Sequence, residues 1–412
     1  MLRSSTQQRE LAYLVYVDAI EPIEGKDRVE AAVISGWKVM VKKNEFHPGD
    51  LGIYFEIDSK APEREPFTFL EKYHYKIKTQ KFKNFYSQGL LMHPNDFGWL
   101  IEKNDNGLYV VDADGNQHFV NDESRFLTKQ LDITYAVAED NKRKAPSADK
   151  YKKMATRHPE LFKKKPIRWL MKHNWGKKLL FIFFGKAKDK KTGFPTHFPY
   201  VKKTDQERCE NMTWVLQDKT PFIKTQKCDG SSGTYILERK PFNRFEFYVC
   251  SRNVRQLDEN QKCFYEENYY WEVAKKYKIE DFLKSFLKDN PDLNYACLQG
   301  EICSPKIQGN PHNLTETHFY AFHFTDSKKG RWDIRDMKKL LDKYFIQTVP
   351  IIDENYIMPD DFEEFKKSAD GFYDSDVCEG WTKQPREGFV YYKTTDPNFS
   401  FKNVSREYLA KH

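Results

Sequence analysis

One stretch of this sequence combines residue types and spacing that could act on a phosphate: Lys227-Cys228-Asp229-Gly230-Ser231-Ser232-Gly233. It sets a lysine and a carboxylate on a loop of otherwise small residues. Glycine removes side-chain bulk, so a phosphate can approach the lysine closely and meet backbone N–H groups. The tetrapeptide Lys-x-Asp-Gly alone is a weak signal, since composition produces it by chance in roughly one chain of this length in ten. Its surroundings strengthen it.

Stepping outward, Phe222–Ile223 reads as a strand leading into the loop. Thr234–Glu238 and Phe245–Cys250 read as a hairpin joined by a Pro-Asn turn. Residues 266–289 have helical spacing, and Ala296–Ile302 and Phe319–Phe324 read as buried strands. Asp333–Tyr344 is an amphipathic helix, and Gly388–Tyr392 and Phe399–Phe401 are late strands. The first hundred residues are all-β: Ala12–Val17, Val29–Ile34, Lys38–Val41 and Leu51–Ile57 are short strands. Gly25, Gly36 and Pro48-Gly49-Asp50 punctuate them, which predicts a small barrel or sandwich. The fold class expected is α+β: a small N-terminal β-barrel or sandwich over 1–125, a basic, partly helical connector over 126–190, and a C-terminal domain of antiparallel sheets and flanking helices over 191–412.

Charge is unevenly spread. Residues 141–190 hold 17 Lys/Arg against three acids, a net of +14 in a chain whose total is +7. A basic segment on a mildly acidic body fits contact with a phosphate backbone, and fits a solvated connector equally well. Within it, Asp149–Phe162 has helical spacing and Pro166–Phe184 mixes Trp, Leu and Phe with lysines. Docking on a neighbouring domain explains that mixture better than a membrane-surface helix. The lysines of Lys76–Lys83 could track a phosphate backbone, although an ordinary solvated face is the simpler reading. The seven cysteines are odd in number and include no CxxC pair, which argues against a disulfide framework or structural zinc and for a reducing compartment. No signal peptide opens the chain, and the apolar run 179–184 is too short to span a bilayer. The expectation is an intracellular, cytoplasmic protein with no membrane and no obligate protein partner.

Further motifs follow the loop in a fixed order. They are Ser251-Arg252-Asn253, Leu298-Gln299-Gly300-Glu301, Tyr320-Ala321-Phe322, Glu387-Gly388-Phe389-Val390 and Ser400-Phe401-Lys402. With Lys227-Cys228-Asp229-Gly230, this series resembles the ordered motifs of the covalent nucleotidyltransferases: DNA ligases, RNA ligases and mRNA capping enzymes. Phe194-Pro195, Lys203-Thr204-Asp205-Gln206-Glu207-Arg208 and Asn211 resemble the segment ahead of the first motif in a subgroup of RNA ligases. That subgroup carries an N-terminal OB-fold domain. Pro22-Ile23, Gly36-Trp37-Lys38-Val39, Glu45-Phe46, Gly49-Asp50, the 54–59 run and Ser87-Gln88-Gly89-Leu90 resemble that domain.

The resemblance implies an ATP-dependent RNA ligase with Mg²⁺ or Mn²⁺ as cofactor and RNA, as a nicked duplex or broken ends, as partner. It implies that Lys227 attacks the α-phosphate of ATP, that AMP moves to a 5′-phosphate, and that a 3′-hydroxyl seals the strand. Only neutral lysine is nucleophilic, and with a free pKa near 10.4 about one in a thousand or fewer is neutral at pH 7. Lys402 and a bound metal are the expected sources of positive charge that lower this pKa. Asp229, Glu301 and Glu387 are the implied metal carboxylates, acting directly or through water. Arg208 and Arg252 are candidates for phosphate or ribose contacts, though Arg252 could also brace the hairpin. Phe322 and Val390 are candidates to sandwich the adenine, with a core role as the alternative. Gln226 could read the adenine edge.

Two departures stand out. The last motif usually carries two lysines spaced by one residue, but here Ser400 precedes Lys402 and position 404 is Val. The chain also ends ten residues past Lys402, leaving no room for the C-terminal OB domain of DNA ligases and capping enzymes; this favours the RNA ligase subgroup. A DNA ligase, a capping guanylyltransferase and a non-catalytic OB-containing RNA-binding protein are the alternatives.

Overall fold

The computed structural model describes residues 1–2, 9–105, 107–120, 124–136, 165–170, 173, 194–195, 198, 201, 203–242, 244–261, 267–374, 378, 380–381 and 385–411. The chain divides into two compact units, 1–136 with 194–412, and 137–193. In the second, a helix spans Lys165–Leu170. The helical reading of Asp149–Phe162 lies outside the described residues. No helix among the described residues is long and apolar enough to cross a membrane.

The N-terminal part of the first unit consists of short antiparallel strands in five small sheets. Leu51–Phe55 lies between Ala12–Tyr16 and Leu90–Met92 and is buried along its whole length, as its apolar run demands. Ala19–Pro22, Val29–Ile34 and Trp37–Lys42 form a meander beside it. A second meander, Leu100–Asn104, Gly107–Val111 and Gln117–Phe119, had no sequence signal. Its strands are exposed or half-exposed at all but one position and lack a clear apolar alternation.

Two larger sheets build the C-terminal part. The five-stranded sheet has the order Glu207–Arg208, Asp396–Val404, Gly388–Lys393, Phe222–Gln226, Ile351–Tyr356. The six-stranded sheet runs Arg255–Gln256, Arg244–Ser251, Ser231–Lys240, Tyr295–Cys303, His318–Asp326, Gly330–Arg331. One apolar cluster joins them: Ile223, Val390 and Tyr392 come from the first sheet, and Tyr235, Leu298 and Phe324 from the second. The helical stretch 266–289 is two helices, Tyr269–Lys276 and Ile279–Asp289, broken where Lys278 takes a left-handed backbone, φ +48°. The break lets Val273 of one and Phe282, Leu283 and Phe286 of the other bury in the same cluster. Asp333 caps the Ile334–Asp342 helix by accepting the Arg335 N–H at 2.8 Å.

The N-terminal strands and the two larger sheets share one interface. Trp37 Nε1 donates to Asn211 Oδ1 at 2.7 Å, and Gly36 N–H donates to Glu210 O at 2.9 Å. Glu210 in turn pairs with Lys366 Nζ at 2.7 Å, with both side chains fully buried. Val404 and Leu409 pack in the same cluster as Trp37 and Tyr54. The segment 207–211 thus locks the small domain to the edge of the five-stranded sheet.

Candidate active site

Lys227 leaves the end of Phe222–Gln226 in one sheet, and four residues later Ser231–Lys240 begins in the other. The loop is therefore the crossing between the two sheets. Lys227 N–H donates to Gly388 O at 3.0 Å, which ties the crossing to the Gly388–Lys393 strand. Two glycines are required by close approach. A Cβ at Gly230 would meet Ile302 O at 2.4 Å, and one at Gly388, where φ is +136°, would meet Asn403 O at 2.2 Å. The resulting proximity puts Lys227 Nζ 2.7 Å from Glu387 Oε1.

The electrostatics follow from that crowding. Burial disfavours the Lys227 ammonium, but Glu387, Glu301 and Asp229 outweigh it and raise the pKa. The expected depression of this pKa is thus not a property of the ligand-free protein, because three carboxylates surround the amine. Lys402 is the group pushed down, to about 7, by burial and by Arg9, Arg208 and Lys227. Burial, reinforced by Glu387 and Asp229, lifts Glu301 to about 8. Burial and Glu387 likewise lift Asp229, to about 7.

The cationic side of the cleft lies along Asp396–Val404. Lys402 is paired in register with Val390 on one side and Arg208 on the other. Arg208 donates from Nη2 to Asp58 Oδ2 at 2.9 Å, while its Nε and Nη1 are buried without partners. Arg252 donates from Nη2 to both carboxylate oxygens of Asp205, at 2.5 and 2.6 Å. Arg9 is held by Glu56 at 2.8 Å and lies close enough to depress the Lys402 pKa.

On the opposite side, Gln226 is buried and donates from Nε2 to Gly388 O at 2.8 Å, leaving Oε1 without a partner. Val390 belongs to the inter-sheet cluster and Phe322 packs against it half-buried. Gln299 pairs with His323 but Gly300 pairs with Ala321, so Phe322 sits at a register shift. Such a bulge re-aims a side chain.

Among the described residues no group of three or more His, Cys, Asp or Glu is arranged to hold a metal ion. Asp229, Glu301 and Glu387 nevertheless interact with one another and with Lys227. Glu387 Oε2 is buried without a partner. A strongly hydrated divalent cation that keeps its waters and shares phosphate oxygens fits this set better than direct capture by all three carboxylates.

Sequence reasoning missed three participants. Tyr408 donates to Asp229 Oδ2 at 2.7 Å. His312 Nε2 accepts the Asp229 N–H at 3.4 Å, and burial holds the ring's pKa down at about 4. Arg9 is the third. They come from a C-terminal helix, a loop and the N-terminal segment, where nothing in the local sequence marks them.

The RNA ligase family model matches residues 220–405, and an OB-fold domain model matches residues 11–94. Solved structures of a Naegleria gruberi RNA ligase are similar over nearly the whole chain. A mutant with AMP and Mn shares 26% identity at TM-score 0.68, covering 98% of this chain and 99% of that one. A mutant with ATP and Mn shares 25% at 0.66, covering 98% and 99%. The same ligase with PPi shares 25% at 0.65, again covering 98% and 99%. No curated protein matches.

Proposed function

Since this chain belongs to the RNA ligase family, with an OB-fold domain ahead of the ligase domain, we propose that Lys227 is the residue on which its ATP-dependent sealing of RNA turns. The observation that carries the assignment is the position of Lys227 at the crossing between two sheets, against Glu387. We assign residues 1–125 to the OB-fold domain, 126–190 to a basic connector and 191–412 to the adenylation domain. The RNA is a nicked duplex or a pair of broken ends, met in a reducing, cytoplasmic compartment. In support of that compartment, the six described cysteines are free and buried.

In the first step the Lys227 nitrogen bonds to the α-phosphorus of ATP, the bond to the β-phosphate oxygen breaks, and pyrophosphate leaves. A 5′-phosphate oxygen of RNA then displaces Lys227 from AMP. Finally a 3′-hydroxyl attacks that 5′-phosphorus and AMP departs. Lys402, Arg208 and Arg252 serve the phosphates and ribose as charged donors. Phe322 and Val390 enclose the base, and Gln226 Oε1 faces its exocyclic amine. Lys227 must lose a proton before it attacks, and Glu387 is the adjacent acceptor. Mg²⁺ or Mn²⁺ held near Asp229, Glu301 and Glu387 would draw their charge away from Lys227 and neutralise the α-phosphate.

Incubation with α-labelled ATP and Mg²⁺ should leave label on the protein and none on Lys227→Ala. Label on that variant would refute the assignment. Labelling by GTP instead would point to a capping enzyme. Nicks differing only in RNA or DNA at the 3′-OH side should be sealed preferentially with RNA.

A further inference from the structure

Arg331 is a half-satisfied guanidinium that reaches the strand carrying Lys402. It sits on the edge strand Gly330–Arg331 of the six-stranded sheet. From Nη1 it reaches Pro397 O at 3.5 Å, Asn398 O at 3.4 Å and Ser400 Oγ at 3.4 Å. All three are at the long limit of a hydrogen bond. No carboxylate lies within ion-pair distance of it among the described residues; Asp396 acts on it only from farther away. Arg331 is half-buried, so its guanidinium is partly desolvated with no counter-charge beside it, and an anionic ligand would supply one.

The space in front of it is a cavity of about 710 Å³, lined also by Ser400, His323, Gln206 and Lys203. His323 is 3% exposed, and neither of its ring nitrogens has a partner. The acids on the same wall are engaged elsewhere: Asp205 by Arg252, Glu207 by Asn211 and Asp326 by Trp332. Ser400 and Lys402 are two apart on one strand and project from the same side. The ligase pattern carries two lysines spaced by one residue here, and Ser400 is one of the two positions, with Val404, that flank Lys402 at that spacing.

We propose that Arg331, reaching across from the opposite sheet to Ser400, is a further phosphate-binding cation of this ligase and grips the nucleotide's phosphates together with Lys402. The neighbouring sheet thereby supplies, beside Ser400, a positive charge that the last motif lacks. The inference rests on the ligase assignment above.

The test is self-adenylylation with α-labelled ATP across an ATP titration. Arg331→Gln should lower labelling about tenfold or more, the scale of one charged hydrogen bond to a phosphate, with an unchanged melting temperature. Placing Ser400→Lys in the Arg331→Gln protein should restore labelling, since a lysine at 400 enters the same space. Wild-type labelling by Arg331→Gln overturns the proposal. So does a loss that Ser400→Lys fails to restore, because the arginine would then be acting only as a brace. Lys227→Ala is run in parallel: label on it would sink the ligase assignment itself, whereas its silence leaves Arg331 alone under test.

Discussion

Lys227 Nζ and Glu387 Oε1 are 2.7 Å apart, the nucleophile candidate paired with a carboxylate from the neighbouring strand's entry. In the ligand-free protein this pair stores the lysine as an ammonium, and ATP with its metal must release it. We expect Glu387→Gln to lower the Lys227 pKa, because it removes the nearest anion. Amine-reactive labelling of Lys227 at pH 8, read by peptide mass spectrometry, should therefore increase. AMP transfer should fall about 100-fold or more, as a metal-side carboxylate is lost. Unchanged amine reactivity would show that the pair does not control the proton.

Glu301 gives a pH signature in stability. Its pKa rises from 4.5 to about 8 in the folded protein, so between these values the folded state keeps a proton that the unfolded chain releases. Its contribution therefore becomes less favourable as pH rises through that window. Glu301→Gln should raise the melting temperature of the ligand-free protein at pH 8 by about 2 °C or more, with little change at pH 4. Equal shifts at both pH values would contradict this.

Gly230 is constrained by backbone on the facing strand. A methyl group there would meet Ile302 O at 2.4 Å, so Gly230→Ala should destabilise by about 1–3 kcal/mol in denaturant unfolding. It should also impair AMP transfer, because relief of the clash moves the Lys227 loop.

Glu210 and Lys366 are a fully buried pair at the interface with the small domain. Lys366→Met should cost about 3–5 kcal/mol by stranding the carboxylate. Adding Glu210→Gln should recover most of the loss. If the double variant is no better than the single one, the cost comes from packing rather than from the unpaired charge.

Gln226 has its amide nitrogen committed to Gly388 O, so Oε1 is the free end. An acceptor there suits the amino group of adenine and repels the carbonyl of guanine. Gln226→Met should narrow the preference for ATP over GTP about tenfold or more in initial labelling rates. An undiminished preference would remove Gln226 from base selection.

Much of this protein is written locally. The lysine loop, the hairpin after it and the strands around Glu301 and Val390 were legible because their periodicity, turn residues and motif spacing lie within short stretches. Gly230 and Gly388 were visible as motif letters, but only the opposing carbonyls of Ile302 and Asn403 explain them. Tertiary structure alone decided what surrounds the lysine. It brought Tyr408 to Asp229, Arg9 to the side of Lys402 and Arg331 to Ser400 from distant points of the chain. It also set the sign of the Lys227 shift. A pKa depends on every charge within a few ångströms, and sequence spacing cannot tell which of several carboxylates and cations will be nearest once two sheets fold against each other.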